Sequence, residues 1–230
     1  MDFAGMQSLT LLDFPNKVAC ILFVRGCNFR CPFCHNATLV CGNAENPFPE
    51  ADVLAFLQKR QGLLDGVVIS GGEPTLYPEL IPFLQKVRAL GYAIKLDTNG
   101  TNPTLLKAIV AEGLVDYVAM DIKNSPAFYS ATCGIPKADI AAIEESRDFL
   151  MNGNTEYEFR TTVVDCLHTK ESMNELACWI SGAKRYYLQA FKDSGNLLHP
   201  ENLSSFDENQ MSELLRIVQN HIPNAKLRGI

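Results

Sequence analysis

Three cysteines fall within eight residues, Cys27-Asn28-Phe29-Arg30-Cys31-Pro32-Phe33-Cys34, spaced by three residues and then two. Thiolates are soft ligands suited to zinc or to iron–sulfur clusters. A closed zinc site or a fully ligated cubane takes four protein ligands, and this run supplies three. A [4Fe–4S] cluster held by three thiolates keeps one iron open to a substrate or cofactor. The alternative is a zinc site completed by a distant ligand, for which Cys20, His35 and Cys41 are available. Cys20 lies inside the apolar run Val18–Val24 and reads as a core residue. Cys41 reads as a lone thiol. His35 and Asn36 either touch the bound group or a partner, or fix the loop by hydrogen bonds.

Further chemistry-bearing residues follow apolar stretches. Gly71-Gly72-Glu73-Pro74 comes directly after Gly66–Ser70. Paired glycines permit positive φ and close backbone approach to a ligand, and Glu73 adds an acceptor beside them. A plain strand-to-helix turn is the other reading. Asp97-Thr98-Asn99-Gly100 and Asp121-Ile122-Lys123-Asn124 end two later stretches with side chains that bind a ligand or cap a turn. Arg160 sits among β-formers, where an inward guanidinium needs an anionic partner, either a ligand or a structural Glu. Gln189 has a similar position in Tyr186–Phe191. His168 and His199 are isolated and read as surface or turn residues.

The elements that position these residues alternate. Strands are predicted over 6–14, 18–24, 66–70, 93–97, 115–121, 157–164 and 185–191. Helices are predicted over 50–61, 78–90, 103–112, 137–152, 171–181 and 207–221, with Pro103 at a helix start and Asp207 as an N-cap. Residues 25–49 read as a loop, turn-rich from Cys41 onward. Repeated strand–helix units imply a parallel sheet, and ligands then bind at the carboxyl ends of the strands. About six units are too few for a complete eight-fold barrel, so a partial (β/α)6 barrel and an open sheet both fit. No linker divides residues 1–230, which are expected to form a single domain.

A chain of 230 residues with 47% hydrophobic and 20% charged residues is an ordinary globular sequence. A net charge of −6 argues against a general nucleic-acid binder. No apolar run reaches the roughly 18 residues of a membrane span. The first residues lack a signal-peptide pattern, so a cytoplasmic location is expected. Eight cysteines, three of them clustered, suit a reduced metal site better than disulfides.

The C-x3-C-x2-C spacing with an aromatic before the last cysteine, followed by Gly71-Gly72-Glu73, Asp97-Thr98-Asn99-Gly100, Asp121-Ile122-Lys123 and Arg160, resembles the radical S-adenosylmethionine (SAM) superfamily. Leu9–Lys17 followed by Gly26–Asn36 is most similar to the activases of anaerobic ribonucleoside-triphosphate reductase, one family of glycyl-radical-enzyme activases. The resemblance spans nearly the whole chain and implies an α/β fold of the partial (β/α)6, TIM-like type. It implies that Cys27, Cys31 and Cys34 hold one [4Fe–4S] cluster. Phe33, Gly71, Gly72, Glu73, Asp97, Thr98, Asn99, Lys123, Arg160 and Gln189 would bind SAM, with Lys123 facing its carboxylate. Asp97, Thr98 and Asp121 match positions associated with a monovalent cation. The implied reaction is reductive cleavage of SAM, with electrons from a flavodoxin- or ferredoxin-like protein, followed by hydrogen abstraction from a glycine of a partner enzyme. No residue is needed as a general acid or base. A pyruvate formate-lyase type of partner, a small-molecule or peptide substrate, and a zinc-stabilised binding module are the competing readings.

Overall fold

The structure is a computed structural model that describes residues 1–41, 47–193 and 195–229. The chain divides into two compact units. The first comprises Met1–Asn28, Thr38–Ala119 and Asn154–Glu156; the second comprises Phe29–Ala37, Met120–Gly153 and Tyr157–Ile230. Within each, strand order follows chain order.

In the first unit, β1 (Gly5–Thr10) pairs antiparallel with β2 (Ala19–Val24). The strand pattern over 6–14 carries no direction, and the pairing supplies it. The link between these strands is too short for a crossover, and only an antiparallel pair tolerates such a link. β1 is also shorter than predicted. The Thr10 hydroxyl accepts the backbone N–H groups of Leu12 and Asp13, and this local turn stops the strand. β2 is buried over most of its length and pairs in parallel with β3 (Gly66–Gly71), which pairs in parallel with β4 (Ala93–Thr98). Continuous apolar sequence is what a parallel strand covered on both faces requires.

A short helix, α1 (Ala37–Val40), lies in the predicted loop, and the loop's residues 42–46 are outside the described residues. Helices α2 (Glu50–Lys59), α3 (Leu80–Ala89) and α4 (Pro103–Ala111) follow, and β5 (Tyr117–Asp121) runs from this unit into the second. The Asn102 side chain caps α4 by accepting the Leu105 N–H at 3.1 Å. Phe14, Ala19, Ile21, Val68 and Tyr117 form an apolar cluster. Gly66 belongs beneath it, because a Cβ there would stand 2.9 Å from the Phe14 ring.

The second unit contains α5 (Tyr129–Thr132), α6 (Ile140–Asn152), β6 (Glu156–Val163), α7 (Lys170–Trp179), β7 (Tyr186–Ala190), α8 (Glu208–Gln219) and β8 (Lys226–Arg228). β6 and β7, and β7 and β8, pair in parallel. Asp207 is the N-cap of α8 as predicted; it accepts from the Gln210 N–H, and the Gln210 side chain accepts from the Asp207 N–H. β8 was not predicted, since three residues show no alternation. Arg228 holds it in place: the guanidinium donates to both carboxylate oxygens of buried Glu158, at 2.9 and 3.2 Å, and lies 3.7 Å from the centre of the Tyr187 ring.

Arg228→Ala should therefore destabilise the protein by about 2 kcal/mol, because a buried carboxylate loses a bidentate partner. Thermal unfolding should show a midpoint lowered by about 4–8 °C.

Candidate functional site

In the first unit, the candidate residues gather at the carboxyl ends of β2, β3 and β4. Gly71 has φ +107°, and a Cβ there would lie 2.6 Å from the Val24 backbone. At Gly72 a Cβ would lie 1.7 Å from the Gly26 carbonyl oxygen. The Glu73 N–H donates to that same oxygen at 2.9 Å. The paired glycines thus let the end of β3 press backbone to backbone against the residue preceding Cys27.

Glu73 is 1% exposed. Its Oε1 accepts from the Thr75 N–H (3.0 Å), the Thr75 hydroxyl (2.6 Å) and the Thr98 hydroxyl (2.7 Å), and its Oε2 from the Asn99 N–H (2.6 Å). Burial pushes its carboxyl up, and these hydrogen bonds offset only part of that rise. Asn99 is the next link. Its Nδ2 donates to Asn28 Oδ1 at 2.8 Å and lies 3.9 Å from Cys27 Sγ. Cys27, Glu73, Thr98 and Asn99 therefore form one connected set. Asp97 is tied elsewhere: its Oδ1 is 2.5 Å from Lys95 Nζ, and its Oδ2 accepts from the Ser70 hydroxyl at 3.0 Å. Lys95, 1% exposed, was read only as part of a strand. The available signal was a lysine two residues before an aspartate, on the same strand face.

In the second unit, Cys31 is buried and Cys34 partly exposed, with the Cys34 N–H donating to the Cys31 carbonyl at 3.1 Å. Phe33 between them is buried. The Cys31 thiol is lowered to about 7, mainly by a hydrogen bond with the Cys133 side chain, against its burial and with help from the Lys123 charge. Burial pushes Cys34 up. Cys133 is a residue that sequence reasoning missed. No local spacing marks it, because about a hundred positions separate it from Cys31. The backbones explain the proximity: Arg30 N–H donates to the Cys133 carbonyl at 2.8 Å, and a Cβ at Gly134 would lie 2.2 Å from the Arg30 carbonyl oxygen.

Asp121, Lys123 and Arg160 form the charged group of this unit. Asp121 Oδ2 is 2.8 Å from Lys123 Nζ, and Oδ1 is 2.9 Å from Arg160 Nε. Burial would raise the Asp121 carboxyl, but the two cations outweigh it and hold the group well below the usual carboxylate range. Burial likewise opposes charge on Lys123, yet Asp121 keeps its ammonium protonated far above the ordinary lysine value. Gln189 is partly exposed on β7, in register with Thr162 on β6 and Arg228 on β8.

His168 corrects an expectation. It was read as a surface or turn residue, but it is 1% exposed. Its Nδ1 accepts the Val164 N–H at 3.1 Å, leaving Nε2 to donate to the Lys123 carbonyl at 2.8 Å. A neutral imidazole can serve both backbones, so this isolated histidine supports the Lys123 loop. His35 and Cys41 are exposed, and Cys20 is buried as expected.

Thiolates are the donors that an iron–sulfur cluster takes. Cys27, Cys31 and Cys34 are all outside disulfides. Among the described residues, the structure brings no three His, Cys, Asp or Glu side chains together as a group that could hold a metal ion. The oxygens expected for a monovalent cation fit one poorly. Asp97 is paired with Lys95, Asp121 with Lys123 and Arg160, and the Thr98 hydroxyl donates to Glu73 while accepting from the Gly100 N–H at 3.1 Å.

The family model described as Radical SAM superfamily matches residues 21–169. A protein of Methanocaldococcus jannaschii, provisionally named a glycyl-radical enzyme activating enzyme, is 30% identical over 237 residues, covering 99% of this chain and 95% of its own. A 7-carboxy-7-deazaguanine synthase of Koribacter versatilis is 31% identical over 147 residues, covering 62% of this chain and 60% of its own. Among solved structures, a radical SAM methyltransferase from Sphaerobacter thermophilus shares the fold, with a TM-score of 0.75 at 13% identity, covering 96% of this chain and 68% of that one. The α/β fold of the radical SAM type is thus the one the sequence implied.

Two measurements check the packing of these residues. Gly72→Ala should cost about 3 kcal/mol or more in denaturant unfolding, because backbone cannot move aside as a side chain can. Gly91→Ala, at φ +87° with nothing within 4 Å, should cost only about 1 kcal/mol of backbone strain. The second concerns His168, whose burial lowers its folded pKa. Its unfolded value is about 6.5. The unfolded chain takes up this proton first as pH falls, so stability is complete above that value and declines below it. His168→Gln should remove that part of the decline between pH 7.5 and 5.5.

Proposed function

The chain belongs to the radical SAM superfamily of enzymes, and we propose that it activates a glycyl radical enzyme, with anaerobic ribonucleoside-triphosphate reductase as the first candidate partner. The observation that carries this reading is the similarity to a provisionally named activase along both entire chains, 99% and 95%. The synthase is matched over only 62% of this chain. That match favours the second reading, a small-molecule substrate.

The family implies a [4Fe–4S] cluster and SAM. Cys27, Cys31 and Cys34 would hold the cluster, and a flavodoxin- or ferredoxin-like protein would reduce it. When bound, the cluster and SAM supply the electron transfer and the radical chemistry. The chain's own residues supply position and charge. Cys31, with its thiol lowered to about 7, offers a thiolate readily at neutral pH. Lys123 has three N–H donors, one directed at Asp121, and would pair with the SAM carboxylate alongside Arg160. Gly71 and Gly72 would present backbone to the SAM ammonium. Glu73 would act through Thr98 and Asn99, since its own oxygens already accept from both. Asp97 would face the ligand from the neighbouring strand end, and Phe33 and Gln189 would lie toward the adenosine.

The test is an anaerobic assay of the protein reconstituted with iron and sulfide, reduced, and supplied with SAM. The wild type should release 5′-deoxyadenosine, and Cys31→Ala should release none. Lys123→Met should weaken SAM binding by about tenfold or more, the loss of a charge-assisted contact. With the reductase present, a glycyl-radical EPR signal should grow in as SAM is consumed. SAM cleavage without a protein radical, coupled instead to a small product, would overturn the activase reading and leave the family intact.

A further inference from the structure

Lys95 occupies the middle of β4 yet is almost wholly buried, at 1% exposure. A lysine in that environment is costly unless its ammonium meets an anion. The strand's period of two puts Asp97 on the same face, and Asp97 Oδ1 is 2.5 Å from Lys95 Nζ. The other oxygen, Oδ2, accepts from Ser70 on the adjacent strand β3. Both oxygens of the carboxylate therefore have donors from the chain itself.

This arrangement matters because Asp97, Thr98 and Asp121 are the residues matched to a monovalent-cation position. Such an ion needs oxygen lone pairs with uncompensated negative charge. Asp97 has an ammonium against it, Asp121 has an ammonium and a guanidinium, and the Thr98 hydroxyl already donates once and accepts once. An ammonium and a potassium ion carry the same charge and both take oxygen neighbours. They differ in that the lysine is covalently attached and cannot be washed out.

We infer that Lys95 is a built-in monovalent cation: its ammonium takes at Asp97 the place of a sodium or potassium ion, so this strand end works without one. The inference depends on the family's placement of Asp97 near the ligand, and not on whether the substrate is a protein. It can therefore fail while the activase reading stands, and the reverse.

The experiment uses the anaerobic, cluster-loaded protein at constant ionic strength in potassium, sodium or choline chloride. Thermal unfolding and SAM affinity are both read. A site that binds an ion only when folded stabilises the protein in a saturable way as the ion is added. For the wild type, both the unfolding midpoint and the SAM affinity should be the same in the three salts. For Lys95→Met in choline, the midpoint should fall by roughly 6 °C or more. Potassium or sodium should restore part of that loss saturably, with a parallel recovery of SAM affinity. A wild-type midpoint or SAM affinity that rises saturably with potassium or sodium over choline would overturn the proposal. So would a folded Lys95→Met variant indifferent to all three salts. Should that variant not fold, the wild-type comparison alone decides.

Discussion

The Glu73 carboxylate is the constraint from which the first unit's strand ends take their arrangement. A carboxylate at 1% exposure is tolerable only with donors on every side. Its four donors come from Thr75, Thr98 and Asn99, so the end of β3 and the end of β4 are held together by one buried charge. Asn99 then reaches Asn28 and Cys27. The Glu73 N–H and the missing side chain of Gly72 close the circuit at the Gly26 carbonyl. A residue that reads as a ligand acceptor is, in the folded chain, the piece that positions others.

The charged residues follow a second rule, that each aspartate among the candidate residues has a cation of the chain against it. In the first unit Lys95 answers Asp97, and in the second Lys123 and Arg160 share Asp121. The two groups differ in balance. One lysine meets one aspartate in the first, and an ammonium and a guanidinium meet one aspartate in the second.

Much of this was legible in residue types and spacing, and what was not has a common cause. The cysteine run, the glycine pair and the polar strand ends are local patterns, and the apolar runs between them located β2, β3 and β4. Strand patterns carry no direction, and for the antiparallel β1 the short link to β2 carries that information. Glycine type at 72 announced close approach, but the thing approached, Gly26, is visible only in the fold. His168, Cys133 and β8 share that difficulty. Each is defined by a contact with a residue distant in the chain: Lys123 and Val164 for His168, Cys31 for Cys133, Glu158 for Arg228 of β8. Lys95 is different in kind. Lysine and aspartate two apart on a buried strand are a readable pair, and the apolar neighbours Ile94 and Leu96 concealed it.

The directions of the perturbed groups bear on what kind of chemistry the chain performs. A general acid or base works best with a pKa near the working pH, and sites that move protons shift groups toward neutrality. Here the carboxyl of Asp121 is held far below that range and the ammonium of Lys123 far above it. Both shifts lock in charge and remove any tendency to exchange a proton at neutral pH. His168 is kept neutral by burial and spends both nitrogens on backbone. Burial raises the buried Glu73 carboxyl, and Cys31 moves toward neutrality, to about 7; a thiol shifted that way is suited to serve as a thiolate ligand. Fixed charges and a thiol lowered toward its thiolate form suit a protein whose bound groups carry the reaction while the polypeptide holds them in place.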